Sequence, residues 1–218
     1  MITAVIFDLD GLLADTEPVH CRAYQDVLER AGARLTESDY IEHWVRAGKG
    51  IAEWIAARRL GHDPLELRRR KALRYLELLP LHLRAMDGGR ELLARLHGRK
   101  KLALASSSYR DAVDAVLAGL EIGHYFAAVV SGLDVKNVKP APDIFLAAAA
   151  RLGAAPRECL VVEDAEKGVL AAYEAGMRCI AVPNDYTRHH DFSKATRVCS
   201  SLREISLELI DSLDRTID

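Results

Sequence analysis

The chain has 218 residues, half of them hydrophobic and 28% charged, a balance that excludes a fibrous or wholly disordered protein. Its 30 basic residues stand against 32 acidic ones, for a net charge of −2, so no broad field draws it to nucleic acid or to an anionic membrane. No apolar run approaches the roughly 20 residues that span a bilayer, and the first residues lack the basic stretch of a secretion signal.

In chain order, Thr3 to Phe7 is apolar and rich in β-branched residues, the pattern of a buried strand. It stops at Asp8 and Asp10, followed by Gly11 and then Asp15-Thr16. An unpaired buried carboxylate is expensive, so acids set straight after a core strand are expected to face a cation or a reaction. Gly11 lets the backbone turn sharply and approach a ligand. The next eighty or so residues carry no strand signal. They read as helices over 18–31, 36–46, 51–60 and 64–79, far more than one crossover needs. Within them Trp44 and Trp54 fall on core-facing helical positions, and the run Arg68-Arg69-Arg70-Lys71 reads as a solvated face.

From residue 89 onward the pattern alternates. Helices are expected over 89–96, 110–118, 142–152 and 165–175, and strands over 102–105, 126–130, 159–162, 179–182 and, more weakly, 197–199. Gly153 and Gly176 suit helix C-terminal caps. Strands apolar on both faces and separated by helices predict a parallel sheet covered on both sides, a doubly wound, Rossmann-like α/β core. The expected division is a core of 1–15 and 84–218 with an α-helical cap inserted over 16–83. Cys21, Cys159, Cys179 and Cys199 show no metal-type spacing, and a reducing, cytoplasmic compartment is expected. The adjacent His189-His190 reads as a surface turn.

In a parallel sheet all strand ends of one sense share an edge. Here that edge collects Asp8 and Asp10, then Ser106-Ser107-Ser108, then Lys139 ahead of Pro140 and Pro142, then Glu163-Asp164. Asp8, Asp164 and Glu163 offer the hard oxygen ligands that Mg²⁺ takes. The serine hydroxyls and Lys139 are donors suited to a phosphoryl group. With Asp8 as nucleophile and Asp10 moving a proton, the set suits phosphoryl transfer through an aspartyl-phosphate.

These four segments resemble the haloacid dehalogenase superfamily, in its phosphatase and β-phosphoglucomutase-like branch with a helical cap. The resemblance runs over essentially the whole chain: Asp8 to Thr16, Ser106, Lys139 within Lys-Pro-Ala-Pro-Asp, and Glu163-Asp164. It implies that Asp8 is the nucleophile and Asp10 the acid/base, with Ser106 and Lys139 holding the phosphoryl group. It further implies Mg²⁺ on Asp164, Asp8 and the backbone carbonyl of Asp10, with Glu163 assisting through water. Ser107 joins the phosphate loop, and His20, Lys49 and Arg110 are substrate-contact candidates. Mutases of this branch carry Arg in the cap turn and Ser-Lys-Asn after the second motif. This chain has Lys49 and Ser108-Tyr109-Arg110 instead, so hydrolysis of a small sugar or nucleoside phosphate is expected ahead of mutase activity. The expected partner is that metabolite alone, with the protein a monomer or weak homodimer.

Overall fold

The computed structural model describes residues 1–214. Contacts divide the chain into two compact units: Met1–Asp15 with Arg84–Asp218, and Thr16–Leu83 between them.

The first unit is built on six strands: β1 (Ala4–Phe7), β2 (Lys101–Ala105), β3 (Ala128–Val130), β4 (Cys159–Glu163), β5 (Arg178–Ala181) and β6 (Arg197–Val198). Their order is β3-β2-β1-β4-β5-β6 and every pairing is parallel. The helices of this unit are α5 (Gly89–Leu96), α6 (Arg110–Gly119), α7 (Asp143–Leu152), α8 (Glu166–Glu174) and α9 (Leu207–Leu213). Ile6, Ala103 and Val161 share one core with Ile144, Phe145 and Ala148 of α7 and Val169 and Ala172 of α8. Side chains alternate across a strand. Val5, Phe7, Leu104 and Val162 therefore point the other way, and they are as fully buried, so both faces are covered. This is the doubly wound α/β fold that the pattern predicts.

Its punctuation follows residue chemistry. Gly153, just past α7, takes φ +60° and Gly176 takes φ +69°, left-handed values that close a helix cheaply only at glycine. Ser206 caps α9, its hydroxyl accepting from the Leu209 N–H at 3.1 Å. β1, β3 and β6 are shorter than expected and β5 is shifted by one residue. β3 begins only at Ala128, because Gly123–Tyr125 forms a 3₁₀ turn in which the Tyr125 and Phe126 N–H groups donate to the carbonyls of Ile122 and Gly123. β5 ends at Ala181, two residues before Pro183, which has no N–H to give to a ladder.

The second unit is helical: α1 (Glu17–Arg30), α2 (Glu37–Tyr40), α3 (Ile51–Ala57) and α4 (Pro64–His82). The helix expected over 36–46 changes character at Ile41, where Ile41–Arg46 becomes a π-helix with Ala47 N–H donating to Glu42 O, five residues back. The wider turn accompanies an aromatic cluster. Trp44 lies against Tyr24 at 4.6 Å and Trp54 at 5.1 Å between ring centres. Trp54 is buried, with the Arg58 guanidinium 3.1 Å above its ring, so both tryptophans serve packing here. The basic run divides. Arg69 and Arg70 are exposed and pair with Glu66, but Lys71 is half-buried and sits 2.5 Å from His20 Nδ1. Leu65 and Leu73 are exposed, leaving Leu67 as the core residue of that stretch. Among the described residues no helix is long and apolar enough to cross a membrane.

Candidate active site

Register sets the site. Phe7 pairs with Leu104 on β2 and with Val162 on β4, so the next step along each strand brings Asp8, Ala105 and Glu163 to one level. Asp8 is fixed there by its own N–H, which donates to Val162 O at 3.0 Å. The chain then turns at Gly11, with φ +83° and its N–H donating to Ala14 O at 2.8 Å. A Cβ at Gly11 would lie 2.5 Å from Asp164 Oδ2 and 2.8 Å from Asn184 Nδ2. Sterics as well as φ therefore demand glycine.

Lys139 reaches this edge from the loop before α7. Its ammonium donates to Asp8 Oδ1 at 2.5 Å and to Glu163 Oε1 at 2.8 Å, with all three groups buried. Glu163 Oε2 accepts from the backbone N–H of Asp164 at 2.7 Å and of Ala165 at 2.8 Å. Asp8, Glu163 and Asp164 form an acidic cluster in which one carboxylate oxygen from each lies within 4.8 Å of the others. Asp10 stands beside it and is gripped by serines: Ser106 Oγ donates to its Oδ2 at 3.0 Å and Ser108 Oγ at 2.7 Å. Ser107 Oγ is buried and, among the described residues, has no partner. An orphaned hydroxyl is costly, and it belongs to the segment that the sequence assigns to phosphate.

The charges are unbalanced. Burial pushes the Asp8 carboxyl up to about 7; Lys139 pulls it down, and the charges of Glu163 and Asp10 push it up again. Burial alone would lower Lys139, yet Asp8 and Glu163 outweigh it and hold the ammonium above the ordinary lysine value. Glu163 is held below its ordinary value because Lys139 and the Ala165 N–H overcome its burial. Asp8 and Glu163 thus share the Lys139 ammonium, with the Asp164 carboxylate beside them. An all-oxygen, net-negative cluster is a donor set into which a hard divalent cation fits, and Asp8, Glu163 and Asp164 are the residues that could hold it.

Of the residues singled out by sequence, Asp8, Asp10, Ser106, Lys139, Glu163 and Asp164 are joined at this edge by direct bonds or by the carboxylate cluster. Arg110 is not drawn in: it is exposed and its guanidinium engages Asp114 one turn along α6 at 2.9 Å. His20 and Lys49 belong to the other unit. There His20 stacks on Tyr75 at 4.2 Å, and Lys49 is exposed, its N–H donating to His43 O at 3.0 Å. His190 lies in a turn and accepts weakly from Glu166 N–H at 3.3 Å. One contributor, Asn184, was missed, and Ser108 was placed at this edge without its bond to Asp10. Ser108 shares the serine run, and its hydroxyl makes the shorter bond to Asp10. Asn184, beyond β5, donates to Asp164 Oδ2 at 2.8 Å and to Gly11 O at 3.0 Å. Its signal was available, since it too is a polar residue just past a strand end on the same edge.

Residues 2–176 match the model of the haloacid dehalogenase-like hydrolases. The fructose-1-phosphate phosphatase YqaB of Escherichia coli (strain K12) is 36% identical over 191 residues, covering 82% of this chain and 95% of that protein. The probable pseudouridine-5'-phosphatase of Drosophila melanogaster is 36% identical over 218 residues, covering 95% and 93%. Among solved structures, CbbY from Rhodobacter sphaeroides in complex with phosphate superposes with a TM-score of 0.84 at 31% identity, covering 97% of this chain and 100% of that one. The chain belongs to the haloacid dehalogenase-like hydrolases, and the Escherichia coli and Drosophila relatives are named as phosphatases.

Proposed function

We propose that the protein is a Mg²⁺-dependent phosphatase that hydrolyses a small sugar or nucleoside phosphate through a phosphoryl group carried on Asp8. The observation that carries this reading is the pairing of two acids with two different settings on one sheet edge. Asp8 is buried against Lys139 and Glu163, while Asp10, two residues on, is half-exposed and held by hydroxyls. One is suited to attack and the other to proton transfer.

Asp8 attacks phosphorus in line and the bond to the leaving oxygen breaks. Asp10 gives its proton to that oxygen, leaving a neutral alcohol and an aspartyl-phosphate. Water then attacks the same phosphorus, Asp10 takes its proton, and inorganic phosphate leaves with Asp8 restored. Lys139 neutralises charge beside the nucleophile throughout, and Ser106 and Ser107 supply donors for the phosphoryl oxygens. A divalent cation on Asp8, Asp164 and the Asp10 carbonyl, with Glu163 assisting through water, supplies further charge neutralisation when bound. The inserted helical unit acts as a cap that reads the leaving group, with His20 and Lys49 as its candidate contacts and Arg110 as the candidate nearest the serine loop in sequence. The two phosphatase relatives, named for a sugar phosphate and a nucleoside phosphate, support that substrate class. Four free, buried cysteines suit a reducing compartment such as the cytoplasm.

A phosphate-release screen over sugar phosphates, nucleotides and phosphorylated acids, with Mg²⁺ and with EDTA, tests the reading. Release from at least one monoester only with Mg²⁺ is expected. Metal-independent release, or none, removes it, and isomerisation on adding a bisphosphate activator replaces hydrolase with phosphomutase.

A further inference from the structure

The segment after β5, Asn184 to Thr187, carries polar residues with no part in the chemistry above, yet it reaches into the acidic cluster. Asn184 Oδ1 accepts from the N–H groups of Tyr186 at 2.8 Å and Thr187 at 3.2 Å, and its own N–H donates to Thr187 Oγ1 at 3.1 Å. That much is an Asx turn, which an asparagine makes to shape its own loop. A turn needs only Oδ1, however. Asn184 Nδ2 makes two further bonds to segments 20 and 173 residues away in sequence: to Asp164 Oδ2 at 2.8 Å and to Gly11 O at 3.0 Å. One rigid amide thus ties the acid after β4 to the turn that follows Asp10.

The packing makes the tie specific. The Cβ that Gly11 lacks would collide with Asp164 Oδ2 and Asn184 Nδ2 together, so the three groups meet with no space between them. Thr187 is buried and backs the amide from the loop side. With Oδ1 committed to Tyr186 and Thr187, the amide cannot flip, and Nδ2 always faces the carboxylate. A donor on Oδ2 fixes the rotation of the Asp164 carboxylate. Such outer partners of metal-binding carboxylates typically contribute 10–100-fold in affinity.

We propose that Asn184 is a positioning residue: it orients Asp164 and anchors the Gly11 carbonyl so that the acidic cluster presents one fixed geometry to a divalent cation. Mg²⁺ demands near-octahedral placement of its ligands, whereas Ca²⁺ tolerates irregular sets. Loss of the amide therefore weakens Mg²⁺ more than Ca²⁺. The inference rests on the metal site of the proposed function, and it places the determinant of cation affinity outside the acids themselves.

The test is calorimetric titration of the substrate-free protein with MgCl₂ and with CaCl₂, alongside thermal unfolding in EDTA. The variant is Asn184→Ser. Serine Oγ can still accept from the Tyr186 and Thr187 N–H groups and keep the turn, but it is too short to reach Asp164 or Gly11. Mg²⁺ affinity is expected to fall 10–100-fold, Ca²⁺ affinity to fall less, and the midpoint in EDTA to stay within about 4 °C of wild type. Unchanged Mg²⁺ affinity in the folded variant overturns the proposal. So does loss of the fold in EDTA for both Asn184→Ser and Asn184→Ala, which would make Asn184 a loop-stability residue. Wild-type protein that binds neither cation overturns the metal reading itself and this inference with it, an outcome distinct from the other two.

Discussion

Gly168, in the first turn of α8, leaves room for the Glu163 carboxylate at its own Cα. A Cβ there would stand well inside 3.0 Å of Glu163 Oε1, Cδ and Cγ. A long side chain could ordinarily swing away, but this one is tethered at both oxygens, to Lys139 through Oε1 and to the Asp164 and Ala165 N–H groups through Oε2. Moving it would break all three bonds inside the core. Gly168→Ala is therefore expected to destabilise the fold by about 1–3 kcal/mol despite alanine's better helix propensity. Urea unfolding measures this, and a variant as stable as wild type would show that Glu163 is free to move.

Asp8→Asn separates chemistry from stability. On the proposed mechanism the amide cannot attack phosphorus, so turnover is expected to fall by about three orders of magnitude or more. The fold should not suffer. Burial already pushes the Asp8 carboxyl up to about 7, so the native protein holds a carboxylate in a place that opposes its charge, and a neutral amide relieves that conflict. The midpoint of the metal-free variant is expected to equal or exceed wild type in a thermal scan. Near-normal Mg²⁺-dependent phosphate release by the variant would falsify the covalent route through Asp8.

Asp10 takes both its side-chain serine bonds on one oxygen, from Ser106 and from Ser108, and the Ser108 bond is the shorter at 2.7 Å. Removing it with Ser108→Ala loosens the carboxylate, which keeps its bond from Ser106, while leaving the nucleophile, Lys139 and the acidic cluster in place. A hydrogen bond to a charged group is worth about 1.5–3 kcal/mol, and kcat is expected to drop by about tenfold with KM changed much less. Steady-state kinetics on the best substrate of the screen decide it. A loss confined to KM would move Ser108 from holding Asp10 to binding substrate.

Much of this site could be read from the chain because its parts share one physical rule. Short strands buried on both faces announce themselves as apolar runs, and a polar residue at the end of such a run has only the sheet edge to occupy. Asp8, Ser106 and Glu163 were found that way. Lys139 was legible from the prolines that follow it. Hydrogen-bond direction was not legible: three consecutive serines look alike in sequence, and only the backbone after β2 decides that Ser106 and Ser108 turn to Asp10 while the Ser107 hydroxyl is buried with no partner among the described residues. The π-helical turn at Ile41–Arg46 was equally hidden, since its residues keep an ordinary helical pattern and the extra residue is accommodated by aromatic packing. Lys71 shows the same limit. A basic run reads as solvated, but tertiary packing folds its last member against His20.

The loop that delivers Lys139 is braced at its start by Asp134, and this gives the acid limb of stability a definite source. Asp134 Oδ2 accepts from the Ser131 hydroxyl at 2.6 Å and the Ser131 N–H at 2.8 Å, and Arg151 of α7 donates to Oδ1 at 2.7 Å. The Ser131 hydroxyl, then Arg151 and the Ser131 N–H, hold the Asp134 carboxyl well below its ordinary value. A carboxyl depressed by folding stabilises the native state at pH above its unfolded value of about 4 and loses that contribution as pH falls through the folded value. Asp134→Asn keeps the shape but gives up the charge, so it is expected to be less stable than wild type by about 1–2 kcal/mol at pH 7. The gap should narrow steadily below about pH 4, where Asp134 of the unfolded wild-type chain takes up a proton that the folded carboxyl still resists. Urea unfolding of both proteins at pH 7 and near pH 3 measures the difference, and a gap equal at the two pH values would show that the brace does not depend on the charge of Asp134.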